Sequence, residues 1–232
     1  MQKSQVQIKK YISYALLIIC VPLLIYIGNS VFKNKQYSFI SLGIAVIVCA
    51  AFFISFEYKQ HSEIKVVLIA VLTALSITGR FIFIPLSGFK PVTAITIITA
   101  IYFGSQAGFM TGSLTALISN FYFSQGPWTP FQMLAWGTIG FLAGVFAPQL
   151  KKHRWFLIIF SAFSGVLFSF IMDIWTAIWL DNTFSWSRYA AALISSAKFT
   201  AVYAVSNVIF ILVLFLPSQK IFERAIRKFN IN

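Results

Sequence analysis

Three ionisable side chains, Arg80, Asp173 and Lys198, fall inside long apolar runs. Charge is costly in hydrocarbon, so such residues turn toward a bundle interior or a wet cavity and mark ligand or ion paths. Two compatible roles fit them: a structural ion pair, Asp173 with Arg80 or Lys198, or a polar cavity open outward. Trp175, Trp179, Asn182, Trp186 and Tyr203 add rings and an amide at a similar level. Flat faces of this kind suit a ring-bearing ligand, and interfacial aromatic belts share the composition. A second constellation surrounds the turn QGPWTP at 125–130, with Asn120, Tyr122, Gln125, Trp128 and Gln132. Pro127 and Pro130 stiffen it, and Pro130 suits the first turn of a helix. A plain connector needs only Gly, Ser or Asn, so this one is expected to touch a ligand. Trp128 and Trp136 also fit interface anchors. Lys90 precedes Pro91 and a run with Thr93, Thr96 and Thr99 on one side, whose hydroxyls can bond back to their own helix.

Other chemistry is missing. There is no GxxxxGK[ST] phosphate loop and no HExxH. Ser164-Gly165 has Ala162 where a GxSxG-like motif has Gly, and no His lies in an apolar run. His61 and His153 sit in basic connections. Cys20 and Cys49 lie in apolar runs with no CxxC or Cys/His cluster, which argues against a disulfide framework or a metal site. The chain is expected not to be an enzyme and to need no cofactor.

The elements that position these residues follow from composition. Hydrophobic residues make up 59% of the chain and charged ones 10%, against about 25% charged in soluble proteins. Crossing a bilayer takes about 20 residues of helix. Backbone groups in lipid must bond internally, so each apolar run is predicted helical. Eight spans are expected, at 11–31, 38–56, 65–85, 91–103, 107–123, 130–147, 155–180 and 187–216. The fourth is short, so it is expected to tilt, thin the membrane, or form a partly inserted hairpin with the fifth. The fold class is therefore all-α, a polytopic helical membrane protein.

With the N-terminus inside, Lys3, Lys9, Lys10, Lys59, Lys65, Lys151, Lys152, Arg154, Lys220, Arg224, Arg227 and Lys228 face the cytoplasm. Lys33, Lys35, Lys90 and Arg188 face out. That asymmetry predicts cytoplasmic termini in a cell membrane. The net charge of +13 then reflects topology and anionic lipid rather than a nucleic-acid partner. On this layout Arg80, Asp173, Lys198 and the 125–130 turn lie toward the outside.

Small residues recur at helical spacing: Ala70 and Ala74; Gly104, Gly108, Gly112 and Ala116; Gly140 and Gly144. Such spacing lets helix backbones approach closely. The glycine series is expected to serve internal packing, and Ala70–Ala74 also suits docking of a separate membrane protein.

From about Glu63 to Lys228 the chain resembles the substrate-binding S components of energy-coupling factor (ECF) transporters. The segment VLIAVLTALSITGR (67–80), with its alanine pair, is similar to that family's first core helix. The block FKPVTAITIITAIYFGSQAGFMTGSLTALISNFYFSQGPWTPFQMLAWGTIGFLAG (89–144) resembles S components assigned to cobalamin and its precursors. The resemblance implies a six-helix core over 63–232, preceded by two extra transmembrane helices within 1–62. It also implies an outward pocket for a vitamin, cobalamin being the first expectation. Docking through Ala70 and Ala74 onto a transmembrane coupling subunit with two ATPase subunits would supply the energy. Substrate contacts are expected from Arg80, Lys90, Asn120, Tyr122, Gln125, Trp128, Gln132, Asp173, Trp175 and Lys198. Two other readings stay open: a stand-alone ion-coupled carrier using Asp173, and a structural membrane protein with no ligand.

Overall fold

The protein is described here by a computed structural model covering residues 37–58, 63–179 and 183–229. The expected first span, 11–31, with Cys20, lies outside the described residues, as does Asn182. The regular elements of the described chain are all helices: α1 (Tyr37–Tyr58), α2 (Glu63–Ile82), α3 (Val92–Phe103), α4 (Ser105–Phe123), α5 (Thr129–Val145), α6 (Ala147–Lys152), α7 (Arg154–Trp179) and α8 (Trp186–Phe229). By length and composition α2, α7 and α8 can each cross a membrane. The protein is a polytopic helical membrane protein.

Its surface and interior are arranged as a lipid solvent requires. Large apolar side chains such as Phe121, Ile194 and Val213 point outward, while Thr96, Thr111, Ser161 and Asn207 are fully buried. Hydroxyls gain by facing protein here, because lipid offers no hydrogen bonds. Thr73, Thr99, Thr115, Ser161 and Ser164 each donate to the carbonyl four residues earlier on their own helix.

The short α3 is enclosed by other helices. Its 12 residues span about 18 Å, less than the ~30 Å hydrocarbon core. Every residue of α3 except Ile95 is buried, so other helices rather than lipid surround it. Gly104, at φ 93°, turns the chain directly from α3 into α4. The glycines do the packing work expected of them. A Cβ at Gly108 would meet Ala100 and the Gly140 carbonyl, and one at Gly112 would meet the Trp136 backbone. Helices α4 and α5 therefore touch along their backbones.

The last helix extends further than the sequence predicts. It continues past 216, through Pro217, to Phe229. Proline removes one backbone donor and usually ends or kinks a helix. Packing holds the continuation: Phe222 lies 5.5 Å from the Tyr102 ring and 5.3 Å from Phe103 at the end of α3. The short α6, with Pro148 in its first turn, adds a helical step between α5 and α7 that apolar patterning does not reveal.

Candidate functional site

The best-built polar cluster starts at the end of α2. Gly79 allows close approach there, because a Cβ at that position would strike the Pro91 ring. The contact brings the start of α3 and the connection 83–91 beside Arg80. Arg80 is 5% exposed. Its Nη1 donates to Ser119 Oγ and to Asn120 Oδ1, the latter at 2.9 Å. Its guanidinium carbon lies 4.4 Å from the centre of the Phe123 ring and 5.3 Å from Trp136.

Asn120 relays this arrangement to α5. Its Nδ2 donates to Thr129 Oγ1 at 3.0 Å and to Gln132 Oε1 at 2.9 Å. Thr129 donates to Gln125 Oε1 at 2.9 Å, and Gln125 Nε2 donates to the Leu117 carbonyl at 2.8 Å. The 125–130 turn is thus latched to α4 by side-chain amides. The Trp128 ring covers Gly126 so closely that a Cβ there would collide with it.

Lys90 enters from the connection 83–91. Its backbone N–H donates to Ser206 Oγ at 2.9 Å, anchoring the connection to α8. Phe83 and Phe89 add to that anchor through Phe210, at 5.1 and 4.9 Å. The ammonium lies 5.9 Å from the Phe123 ring, which Arg80 also faces. Burial, and secondly the Arg80 charge, push the Lys90 ammonium down to about 8.

Among the described residues, two atoms in this cluster lack hydrogen-bond partners. Arg80 Nε and Trp136 Nε1 are buried without a hydrogen bond. Trp136 is 0% exposed and is not an interface anchor. It lies 5.1 Å from Phe168, which stacks on Tyr203 at 4.9 Å. Rings from α5, α7 and α8 thus continue the cluster across the bundle.

The remaining expected site residues lie elsewhere. Asp173 is buried on α7 and accepts from Ser196 Oγ at 2.6 Å. Among the described residues it forms no ion pair with Arg80 or Lys198, so the ion-pair expectation fails. Serine supplies the bond instead, and Arg80 is engaged on α4. Lys198 is exposed on α8. Trp175 is buried between Phe131 and Trp179, at 5.4 and 4.8 Å. Tyr122 is 68% exposed and meets Phe81 edge-on at 4.9 Å. Ser119, Phe123, Thr129 and Trp136 were not expected in the site. The signal was spacing: Phe123 follows Asn120 by three, and Trp136 follows Gln132 by four, so each pair shares a helix face.

Two features flank the cluster. Ala70 and Ala74 lie exposed on α2 among Val67, Val71 and Leu75, opposite its buried face with Thr73, Ser76 and Arg80. Beyond Gln125 and Thr129, an apolar groove of ≈ 450 Å³ lies between α1 and α4–α5, bordered by Cys49, Phe53, Leu117 and Met133. Among the described residues no group of His, Cys, Asp or Glu could hold a metal ion.

A protein-family model described as "ECF-type riboflavin transporter, S component" matches residues 60–222. The chain belongs to this family. As an ECF S component it is a substrate-binding membrane subunit of a vitamin-type transporter, not an enzyme. The family implies association with ECF coupling and ATPase subunits. The match begins beyond α1. The family description names riboflavin, which leaves the cobalamin-type expectation unsupported. No curated protein and no solved structure matches the chain.

Proposed function

We propose that this S component captures a flavin-type vitamin, riboflavin being the first candidate, at the cluster of Arg80, Lys90, Asn120, Gln132 and Trp136. The observation that carries the reading is the pair of buried, unpartnered donors, Arg80 Nε and Trp136 Nε1. Buried donors normally find acceptors, and leaving them unmade costs stability. A bound heterocycle rich in carbonyl and ring-nitrogen acceptors supplies them, and Phe123 and Trp136 offer faces for stacking. Gln125 and Trp128 hold the 125–130 turn over this end of the bundle.

Energy comes from partners. The chain docks through the exposed Ala70–Ala74 face of α2 onto a transmembrane coupling subunit bearing two ATPase subunits. Small residues on that face permit close helix contact. The site faces outward, both termini are cytoplasmic, and α1, which precedes the matched region, lies against α4 and α5.

The test is riboflavin binding to the purified full chain in lipid nanodiscs, followed by flavin fluorescence, with cobalamin as the competing ligand followed by its visible absorbance. Saturable riboflavin binding supports the proposal. Cobalamin binding without riboflavin binding replaces the ligand. Ala74→Trp is expected to abolish uptake in cells holding the partner subunits while binding survives, and unchanged uptake would remove the docking role. Accumulation of solute by the reconstituted chain alone would favour an ion-coupled carrier instead.

A further inference from the structure

Among the described residues the charges at this site do not balance, and the geometry points to a ligand with an anionic group, a carboxylate or phosphate, seated between Arg80 and Lys90 beside Phe123. This deepens the proposed function and rests on its assignment of the vitamin site to this cluster.

Among the described residues beyond α1, the carboxylates are Glu63, Asp173 and Glu223. Glu63 stands in the first turn of α2 and Arg80 in its last, about 25 Å apart along the helix. Asp173 is bound to Ser196 on the α7–α8 side. Glu223 belongs to the end of α8, where Gln219 donates to it at 2.9 Å. Among the described residues none forms an ion pair with Arg80 or Lys90. Two cations nevertheless converge on one ring, at 4.4 and 5.9 Å.

Bringing like charges together in a poorly solvated place is unfavourable, and more so where the effective dielectric is low. Burial first, and the Arg80 charge second, lower the Lys90 titration, so only part of that shift reflects the repulsion. Hydrogen bonds to Ser119 and Asn120, and ring contacts, hold Arg80 in place without neutralising it. Both bonds leave from Nη1, and Nε is buried with no hydrogen bond among the described residues. A guanidinium edge with open donors fits a carboxylate or phosphate through two parallel bonds. Lys90, a movable point charge on a flexible stem, completes the seat. Trp136 Nε1 adds a neutral donor. Riboflavin itself carries no anion near neutral pH, whereas its phosphate ester does.

The experiment titrates the full chain in phosphatidylcholine nanodiscs with three probes: riboflavin, riboflavin 5′-phosphate and folate. Binding is followed by flavin or tryptophan fluorescence. An anionic probe is expected to bind about 10–100-fold more tightly than riboflavin, the range for one well-made charged hydrogen-bond pair. Arg80→Lys and Lys90→Gln are each expected to pull that ratio toward one, with melting temperature and elution volume confirming that the variants fold. Preference for folate over both flavins supports the anionic class and replaces the flavin. Equal affinity for riboflavin and its phosphate overturns the inference and leaves the proposed function standing. A preference that survives in both folded variants also overturns it. Failure of the folded protein to bind any of the three overturns both readings.

Discussion

Arg80 and Asp173 are both buried ions within the spans, yet the protein treats them in opposite ways. Around Arg80, four side chains from α4 and α5 position the guanidinium but, among the described residues, leave the buried Nε without a hydrogen bond. Around Asp173, one serine of α8 closes directly onto the carboxylate, and Ser169 and Thr200 bond to each other across the same seam at 2.7 Å. The α7–α8 seam thus resolves its polarity with short hydroxyl bonds between neighbouring helices. The α2–α4–α5 cluster is organised but unfinished. An organised, unfinished cluster has capacity for a ligand, and a completed seam serves to fix two helices.

The largest test of that contrast is Arg80→Gln. The proposed site loses its fixed cation, and vitamin affinity is expected to fall about 100-fold, the upper range for one charged hydrogen bond. Measurement is by titration in nanodiscs, with melting temperature as the fold control. An affinity within about threefold of wild type would assign Arg80 to packing alone.

Asn120→Ala comes next. Asn120 touches no proposed anion seat directly but joins Arg80 on α2 to Thr129 and Gln132 on α5. Its loss unties the orientation of Arg80 and leaves partners unsatisfied. Affinity is expected to drop about tenfold and stability by about 1–3 kcal/mol. Asn120→Asp is the sharper companion, because it places a carboxylate against Nη1. If a ligand anion normally balances that charge, an internal carboxylate competes with it. The preference for riboflavin 5′-phosphate over riboflavin should then shrink even where the protein is more stable.

The pH dependence of Lys90 separates folding from binding. Its folded value of about 8 lies below the ordinary 10.5. Between those values the unfolded chain holds more protons than the folded one, so stability of the empty protein rises with pH in that window. Among the described residues the charge acting on Lys90 is that of Arg80, which has Tyr203 beside it, and Arg80 keeps its charge throughout. Anion affinity runs the other way: it is greatest below about 8 and weakens above it as the ammonium deprotonates. Opposite slopes of melting temperature and affinity, both flattened by Lys90→Gln, are the expected result. Parallel slopes would mean that Lys90 does not meet the ligand.

Much of this architecture was legible in residue order. Helix positions followed from apolar runs, because lipid permits little else. Tight α4–α5 contact followed from Gly108, Gly112 and Gly140. Asn120, Gln125 and Gln132 were recognised as a group because an amide-rich turn has no use as a plain connector. What the sequence could not supply was which partner each ion selects. Apolar patterning gives depth in the membrane but not rotation about the bundle axis, so Arg80, Asp173 and Lys198 looked like one set. Rotation is decided by contacts distant in sequence, such as Gly79 against Pro91. The same limit hid Trp136, since a tryptophan near a span end has the composition of an interface anchor wherever it points. It also hid the end of α8, where Phe222 rather than backbone propensity carries the helix past Pro217.

The smallest expected effect lies on the completed side of the comparison. Asp173→Asn keeps an oxygen acceptor for the Ser196 hydroxyl while removing the charge. Because the bond is kept and no cation pairs with Asp173 among the described residues, little electrostatic energy is lost. Vitamin affinity is expected to stay within about twofold, and stability to change by less than about 1 kcal/mol, the scale of one ordinary hydrogen bond. Lys198→Gln, on the exposed face of α8, should change neither quantity measurably, as is usual for surface substitutions. A tenfold loss of affinity in Asp173→Asn, with the melting temperature unchanged, would break the contrast, because the carboxylate would then be reaching the ligand and the two clusters would form one site. A matching loss in Ser196→Ala would identify that hydroxyl as its positioning partner, whereas an effect on melting temperature alone would keep the seam structural.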